Sequence, residues 1–408
     1  MKPRASISKL VTQATHALLV LTLAASPALA QKKYGPGVTD TEIKIGQTYP
    51  YSGPLSAYAT IARAEAAIFA RVNAEGGING RKITFISLDD GYNPAKTVEQ
   101  TRRLIEQEQV LLMFNPLGTP TSLAVIKYLN QQHIPHLFLA TGASVFGEYR
   151  TYPWTMGLQP NYRTETHLLA RYIMKNLLDG KVALLYQNDD SGRDFRQGVH
   201  EGFGDQVNRF IVKEVSYEPS DPTVDSQVIS LQSSGANVFL NLVPVKAAAQ
   251  AIRKTASLGW RPTMFVSTIS SSIESVMKPA GVENAKGVIS TGWLKDPTDP
   301  AWKDDPAVRD HLAFMQRYYP DGNPAEALNV YAQVAAGALI QVLKQCGDDL
   351  TRENVMRQAE SLRDFAAPLL LPGIKIDTGP TDHYPVQQVQ LIRFDGEKWV
   401  RFGELLGE

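Results

Sequence analysis

The chain has 408 residues, with 41 basic and 41 acidic side chains, 43% hydrophobic residues and a single cysteine. The balanced charge excludes a general electrostatic attraction to nucleic acid or anionic lipid. The lone Cys346 excludes an intrachain disulfide, and we expect it to be a buried, inert thiol. A chain of this length can bury large cores in about two domains.

The first 30 residues have the features of a secretory signal peptide. Lys2, Arg4 and Lys9 precede a short apolar run at 17–25, and small residues lead to Ala30. The run is shorter than the roughly 20 residues that a membrane-spanning helix needs. We therefore expect cleavage after Ala30 and a mature protein that is free in the periplasm. The residue directly after that cleavage site is Gln31 and not a cysteine, so a lipid anchor on the mature N-terminus is not expected.

Short apolar strands and amphipathic helices alternate through the first part of the mature chain. Strands are predicted at 43–45, 82–88, 110–114 and 136–140, and helices at 57–73, 93–108 and 119–132. Asn93 and Pro94 suit the start of the second helix, because proline lacks an N–H that the first helical residue does not need. This alternation predicts a parallel sheet with helices on both faces.

The pattern pauses at 152–157 and then restarts as a second unit of similar size. Helices are predicted at 164–178, 192–203, 224–233 and 245–258, and strands at 181–186, 210–215, 237–242 and 264–266. A second pause at 288–293 precedes long helices at 308–318 and 325–343 and a β-rich tail that includes 386–394. The sequence therefore predicts an α/β fold of two doubly wound, Rossmann-like lobes.

Several short motifs, taken in order, resemble solute-binding proteins of the branched-chain-amino-acid (Leu/Ile/Val-binding) type. They are IKIG at 43–46, YSGPLSAY at 51–58, NAEGGINGR at 73–81, DD at 89–90, NPLGT at 115–119, ATGA at 140–143 and QNDDSG at 187–192. Each motif alone is an ordinary turn or strand end, whereas their shared order behind a signal peptide is specific.

The resemblance implies the type I periplasmic binding protein fold, in which three crossovers join two lobes that close over a small molecule. It also implies delivery of that molecule to an ABC permease in the inner membrane. On this basis we assign 1–30 to the signal peptide, 31–155 plus 293–375 to the first lobe, and 156–292 plus 376–408 to the second. We expect a monomer without a cofactor.

The predicted site lies where strands end, because ligands of doubly wound sheets bind at the carboxyl ends of the strands. The loops after Phe114, Ala140, Tyr186 and Phe265 follow such ends and match binding loops of the family. Thr119 suits a helix N-cap, and the positive end of that helix would attract a carboxylate. A purely structural capping role fits Thr119 equally well, and the resemblance favours binding.

The remaining candidates are small or aromatic residues in the matching loops. At 140–142, small residues would let a ligand approach the backbone, although a tight turn is an equally good interpretation. Tyr58 aligns with a family aromatic that closes over the ligand, while Trp154 and Trp293 are expected to pack at the hinge. The predicted ligand-binding residues are Tyr58, Gly118, Thr119, Thr121, Ala140, Thr141, Gly142, Ser191 and Ile269.

Positions at which the sequence differs from the family pattern indicate the chemical class of the ligand. Amino-acid binders of the family carry an acidic residue after the strand at 264–266, whereas Ile269 stands at or near that position here and the next carboxylate is Glu274. Ser191 replaces a tyrosine that is typical of the second lobe. A buried ammonium group without a counter-charge is costly, so the sequence predicts a carboxylate ligand with a hydrophobic or aromatic body.

Other classes of function have weaker support. His133 and His136 lack partners spaced for a metal, Asp89 and Asp90 suit a turn, and no G-x-S-x-G, Walker or G-x-G-x-x-G motif is present. We therefore expect no metal site and no enzyme, although a Ser/His/Asp set assembled in space stays open. The alternatives are an amino-acid-binding protein of the same family, a periplasmic sensor that acts on a receptor, and a secreted α/β enzyme. No DNA-binding segment precedes Ile43, which disfavours a repressor.

Overall fold

The computed structural model of the protein describes residues 32–407. The predicted signal peptide and its cleavage after Ala30 lie outside these residues. Among the helices described, none is both long and apolar enough to cross a membrane.

The first lobe is built around a five-stranded parallel sheet with the strand order β3-β2-β4-β5-β6. After a short β1 (Lys33–Tyr34), these strands are β2 (Glu42–Tyr49), β3 (Lys82–Asp89), β4 (Leu112–Phe114), β5 (His136–Leu139) and β6 (Thr155–Gly157). The helices that alternate with them are α1 (Ala59–Ala74), α2 (Pro94–Arg102) and α3 (Thr119–Gln131). Central β2 pairs with β3 on one side and β4 on the other, with Ile45 opposite Phe85 and Leu112.

The second lobe contains a seven-stranded sheet with the order β14-β13-β11-β10-β9-β7-β8. Its strands are β7 (Val182–Gln187), β8 (Ile211–Tyr217), β9 (Val238–Leu242), β10 (Thr263–Val266), β11 (Ile289–Gly292), β13 (Gln388–Phe394) and β14 (Trp399–Gly407). The helices are α4 (Tyr162–Asn176), α5 (Asp190–Phe203), α6 (Val207–Phe210), α7 (Asp225–Gln232), α8 (Val245–Ser257), α9 (Lys278–Ala280) and α10 (Val282–Ala285). The last two strands form an antiparallel hairpin at one edge of an otherwise parallel sheet.

Between β11 and β13 the chain returns to the first lobe. This segment contains α11 (Pro306–Tyr318), α12 (Ala327–Cys346), β12 (Asp349–Leu350) and α13 (Arg352–Ala359). Helix α12 packs against α1, and β12 pairs with β1. The chain therefore passes between the lobes three times, and the predicted fold class is confirmed. The domain boundaries at 155, 293 and 376 stay a prediction.

Local sequence signals explain most element boundaries. The Asn93 side chain accepts hydrogen bonds from the backbone N–H groups of Ala95 and Lys96, with Pro94 at the first helical position as predicted. The predicted helix at 93–108 ends its regular part at Arg102 and continues as a π-helical turn. The segments at 152–157 and 288–293, where the alternating pattern is interrupted, contain the strands β6 and β11. The prediction missed both, because strands of three or four residues are too short to show a periodic signal.

The core shields the thiol of Cys346, the single cysteine of the chain. The side chain is buried at the end of α12, and burial raises its pKa to about 12. The thiolate is the reactive form of cysteine, so this thiol is inert at neutral pH, as predicted.

Candidate functional site

A cavity of about 140 Å³ lies between the two lobes. A single water needs about 10–15 Å³, so the cavity has room for roughly ten waters and therefore for a small organic molecule. Six of the nine predicted ligand-binding residues line this cavity, namely Tyr58, Gly118, Thr119, Ala140, Ser191 and Ile269. Thr121, Thr141 and Gly142 lie behind the lining.

The start of α3 is set by a close approach of Gly118 to Tyr92. Gly118 has φ = 105°, and a Cβ atom there would lie 2.5 Å from the Tyr92 ring. Gly118 is the N-cap residue and Thr119 is the first helical residue, so the prediction that Thr119 is the N-cap was wrong. The Thr119 hydroxyl is instead hydrogen-bonded to that of Thr141, at 2.7 Å between the two Oγ1 atoms.

The first turn of α3 contains backbone donors without acceptors next to the cavity. Among residues 32–407, the backbone N–H groups of Thr119 and Thr121 have no hydrogen-bond acceptor, and Ser122 is the first to donate, to the Gly118 carbonyl. Pro120 has no N–H at all. Unpaired N–H groups at the positive end of a helix attract an anion, and this end adjoins the cavity through Gly118 and Thr119.

Thr121 and Gly142 hold this arrangement in place from behind. Thr121 Oγ1 donates to the Leu117 carbonyl at 2.6 Å, within its own helical turn. The Gly142 carbonyl accepts from the Tyr162 N–H at 2.7 Å, and a Cβ atom on Gly142 would lie 2.6 Å from the Tyr162 ring. The absence of a side chain at Gly142 therefore makes room for the Tyr162 ring.

The lobes are closed on one another around the cavity. Tyr58 Oη donates to the Ile269 carbonyl at 3.1 Å and accepts from the Val245 N–H at 3.2 Å, so one first-lobe hydroxyl joins two second-lobe loops. Tyr92 Oη donates to Asp189 Oδ2 at 3.1 Å. Desolvation raises the pKa of Tyr58, which keeps its hydroxyl protonated and able to donate.

Two carboxylates near Ile269 were missed by sequence reasoning. Glu165 is buried and accepts from Ser267 Oγ at 2.7 Å, from the Thr268 N–H at 2.8 Å and from the Thr291 hydroxyl. Burial raises the pKa of Glu165, while these three donors favour its ionised form. The side chain does not line the cavity, and all its donors belong to the second lobe.

Glu326, just before α12, is the second of these carboxylates. It accepts from the hydroxyls of Ser272 and Ser275 and from the Leu328 N–H. The loop that contains Ile269 therefore has buried carboxylates on both sides, although the nearest acid in sequence is Glu274. Both carboxylates already have donors, and Glu326 is also absent from the cavity lining.

Further lining residues come from elements that the sequence did not reveal as part of the site. Gln159 and Tyr162 follow the carboxyl end of β6, and Gln159 Nε2 donates to Tyr162 Oη at 3.1 Å. The strand-end rule would have found both residues if β6 had been recognised. Tyr331 comes from α12, far along the chain, and its hydroxyl accepts from Asn115 Nδ2 at 2.9 Å.

The histidines and tryptophans singled out from sequence have different surroundings. His136 is buried, and desolvation lowers its pKa to about 3, whereas His133 stacks on Trp154 with 5.0 Å between ring centroids. Within residues 32–407, no group of three or more His, Cys, Asp or Glu side chains could hold a metal ion. Trp293 lines the cavity and also packs on Tyr331, whereas Trp154 lies away from the cavity.

Asp89 and Asp90 organise the loop that follows β3. Asp90 accepts from the Tyr92 N–H and from the Thr97 hydroxyl, both at 2.9 Å. Asp89 accepts from Ser52 and from Lys96 Nζ, and these partners hold the pKa of its carboxyl below the usual range despite partial burial. The pair therefore shapes the turn that carries Tyr92 to the cavity.

Both the sequence and the fold of the chain are similar to those of known proteins. The family model described as "Periplasmic binding protein" matches residues 42–398. The Leu/Ile/Val-binding protein homolog 7 of Brucella suis is 24% identical over 240 residues, which make up 57% of this chain and 60% of that relative. The chain thus aligns with about three fifths of the relative's length.

Two solved structures are similar over nearly the whole chain. A branched-chain amino acid ABC transporter protein from Thermus thermophilus with bound valine gives a TM-score of 0.81 at 15% identity, covering 91% of this chain and 98% of that one. A fatty acid ABC transporter substrate-binding protein from Thermomonospora curvata gives 0.76 at 21% identity, covering 92% and 95%. At these identities the likeness establishes the fold alone.

The assignment of the chain to a family rests on the sequence match, because one family model spans most of the chain. The relative and the two structural neighbours are, by name, binding or transport proteins and not enzymes. The chain belongs to the periplasmic binding protein family.

Proposed function

We propose that this protein is the extracytoplasmic solute-binding subunit of an ABC importer and that it captures a small organic acid with an aromatic body by hinge closure. The observation that carries the proposal is the start of α3, where Thr119 lines the interlobe cavity and the backbone N–H groups of Thr119 and Thr121 have no acceptor among the described residues. Such a helix end stabilises a carboxylate through both hydrogen bonds and the helix dipole.

The wall opposite α3 favours an apolar body. Ile269 and Pro244 line it, and Leu55, Ile61 and Leu117 contribute further apolar surface from the first lobe. An aromatic ring among these side chains and the tyrosines would bury apolar area and stack at ring edges. A site for an organic acid needs polar groups for the carboxylate and apolar surface for the body, and the part of the cavity between α3 and Ile269 has both.

An α-amino acid would meet a different environment. Beside Ile269 its ammonium group would lose water without gaining a carboxylate, because Glu165 and Glu326, the buried carboxylates next to this loop, already accept hydrogen bonds from other residues and do not line the cavity. A penalty of about 3 kcal/mol for an unpaired buried charge corresponds to a preference of more than about a hundredfold for the acid without the amino group.

Closure and transport follow from the same geometry. Tyr58, Tyr92 and their second-lobe partners join the lobes around the cavity, so a ligand held there is enclosed on both sides. We propose that the closed, monomeric protein docks on a permease in the inner membrane and releases the ligand when the lobes separate. The name of the Thermus thermophilus neighbour, a transporter with bound valine, supports this role.

Calorimetric titration with 3-phenylpropanoate and with phenylalanine tests the ligand class. The two molecules share a skeleton, and we expect 3-phenylpropanoate to bind more than about a hundredfold more tightly. Ile269→Glu should narrow that gap, because a carboxylate in the cavity repels the acid and pairs with the ammonium group. Ile229→Glu, at an exposed position on α7, is the control and should leave both affinities unchanged. Tight binding of phenylalanine or leucine without any response to aromatic acids would contradict the proposal.

A further inference from the structure

The cavity continues past the α3 site toward the hinge, where its lining changes in character. Three of the chain's five tryptophans line this part, which we name the outer chamber. Its principal lining residues are Trp293, Trp302, Leu371, Ile392, Trp399 and Arg401. The remaining part, around Gly118, Thr119 and Ile269, is the inner chamber.

The two chambers share walls, so one ligand can occupy both. Trp293 packs edge-on against Tyr331 of the inner chamber, with 5.9 Å between ring centroids. Trp399 Nε1 donates to the Ser271 carbonyl at 2.8 Å, and Ser271 lies in the same loop as Ile269. A molecule anchored at α3 and extended past Ile269 would therefore reach the tryptophans.

Charged groups in and around the outer chamber are mostly paired. Lys295 Nζ lies 2.8 Å from Asp305, and Asp299 lies 3.2 Å from Lys398 Nζ. Asp296 accepts from both the N–H and the hydroxyl of Thr298. The protein therefore neutralises Lys295 and Asp299 itself, whereas Asp296 has hydrogen-bond donors but no cation within 4.0 Å among the described residues.

Arg401 differs from its neighbours. Its guanidinium carbon lies 4.8 Å from the centroid of the Trp302 ring, yet the side chain has no carboxylate within 4.0 Å in the part of the chain that the structure describes. Stacking on an indole positions a guanidinium without using its N–H donors, which stay available to an anion. The outer chamber thus combines flat aromatic surfaces with an oriented guanidinium that has no carboxylate partner within residues 32–407.

We propose that the outer chamber binds the distal end of an elongated aromatic acid that carries a second anionic group, with Arg401 pairing to that group. This rests on the proposed function, since it takes the first carboxylate to be at α3. The indoles stack against the ring or its unsaturated side chain, and the guanidinium forms charge-assisted hydrogen bonds with the distal carboxylate. The ligand class is accordingly an aromatic dicarboxylate with its two acids at opposite ends.

Titration with cinnamate and 4-carboxycinnamate tests this inference. The two probes differ only in the distal carboxylate, and we expect the dicarboxylate to bind about tenfold more tightly to the unaltered protein. Arg401→Gln should remove that advantage, and cinnamate, which has no distal carboxylate, should lose much less affinity than 4-carboxycinnamate does. The matched control is Arg393→Gln, because Arg393 is also exposed on the same hairpin and lies 4.8 Å from an aromatic ring, that of Phe402, but does not line the cavity.

The outcomes separate the two proposals. If both probes bind equally, or if Arg401→Gln leaves the advantage intact, the outer-chamber inference is overturned and the proposed function stands. If neither probe binds while phenylalanine or leucine does, both proposals are overturned together. Arg401 and Arg393 are surface residues, so thermal unfolding of each variant should match that of the unaltered protein and exclude misfolding as the cause.

Discussion

The two walls of the inner chamber are built differently. The first-lobe wall offers backbone N–H groups at the start of α3, whereas the second-lobe wall offers apolar side chains such as Ile269. A buried glutamate stands behind each wall. Glu165, behind the second-lobe wall, accepts from three donors, while Glu65, behind the first-lobe wall, has a single donor in the described part of the chain, Gln47 Nε2 at 2.6 Å.

The contrast shows how the same residue type serves two purposes. Three donors let Glu165 fix the loop after β10, because a buried carboxyl group is tolerated when it is hydrogen-bonded. Glu65 has an oxygen, Oε1, without any partner among the described residues, and burial raises its pKa well above the usual range. The first-lobe wall is thus supported by a carboxyl group that favours its neutral form.

The largest effect is expected from Gly118→Ala, which disturbs the first-lobe wall at the start of α3. A Cβ atom there would lie 2.5 Å from the Tyr92 ring and 2.7 Å from Thr121 Oγ1, on a backbone with φ = 105°. Overpacking and left-handed strain together should lower the free energy of unfolding by about 2–4 kcal/mol. Ligand affinity, measured by calorimetry, should fall at least about tenfold, because the N–H groups of α3 shift with Gly118.

Gly235→Ala is the matched control for that variant. Gly235 also has positive φ, 73°, but a Cβ atom on it would meet nothing within 4 Å. The change should cost only about 1 kcal/mol of stability in urea unfolding and leave ligand affinity as it was. Equal losses of affinity in the two variants would contradict the role given to the start of α3.

A smaller effect is expected from Tyr58→Phe, which loosens the contact between the walls. The change removes a hydroxyl that joins Ile269 and Val245 in the closed protein, so closure loses about 1–1.5 kcal/mol. Calorimetry should show affinity about tenfold lower. Tyr51→Phe removes a hydroxyl bonded to Ser87 within the first lobe, at 2.8 Å, and should leave affinity unchanged. A drop of the same size in both variants would show that Tyr58 does not act through closure.

Sequence reasoning predicted the alternating fold because buried apolar strands and amphipathic helices leave strong periodic signals. It also predicted the lining residues Gly118, Thr119, Ala140 and Ile269, since each follows a strand whose position was evident. The role of these residues in ligand binding stays a prediction.

What escaped sequence reasoning depends on long-range packing. Glu165 meets Ser267 and Thr291 across 102 and 126 residues, and no local pattern links them. The outer chamber joins the second crossover to the C-terminal hairpin, so Trp302 and Arg401 become neighbours only in the folded chain. Strand β6 has three residues, too few to show a period of two, and Tyr162 was missed with it.

The smallest expected effect tests the glutamate behind the first-lobe wall. The pKa of Glu65 is higher in the folded protein than in the unfolded chain, because burial disfavours its charge. The folded state therefore binds this proton more tightly, and the resulting stability is complete below the unfolded pKa of 4.5 and is lost as the pH rises toward and through the folded pKa. Glu65→Gln cannot ionise and should escape that loss.

Urea unfolding of the Glu65→Gln variant at pH 4.5 and pH 8 measures this difference directly. The variant should match the unaltered protein at the lower pH and exceed its stability by about 1 kcal/mol at the higher one, since a neutral amide keeps the contact with Gln47 without a buried charge. Glu165→Gln is the counterpart in the second lobe. Its amide group would face three donors with one acceptor oxygen, so it should be less stable than the unaltered protein at both pH values. A Glu65→Gln variant whose stability changes with pH as steeply as that of the unaltered protein would show that Glu65 is ionised in the fold, and the contrast between the two walls would then disappear.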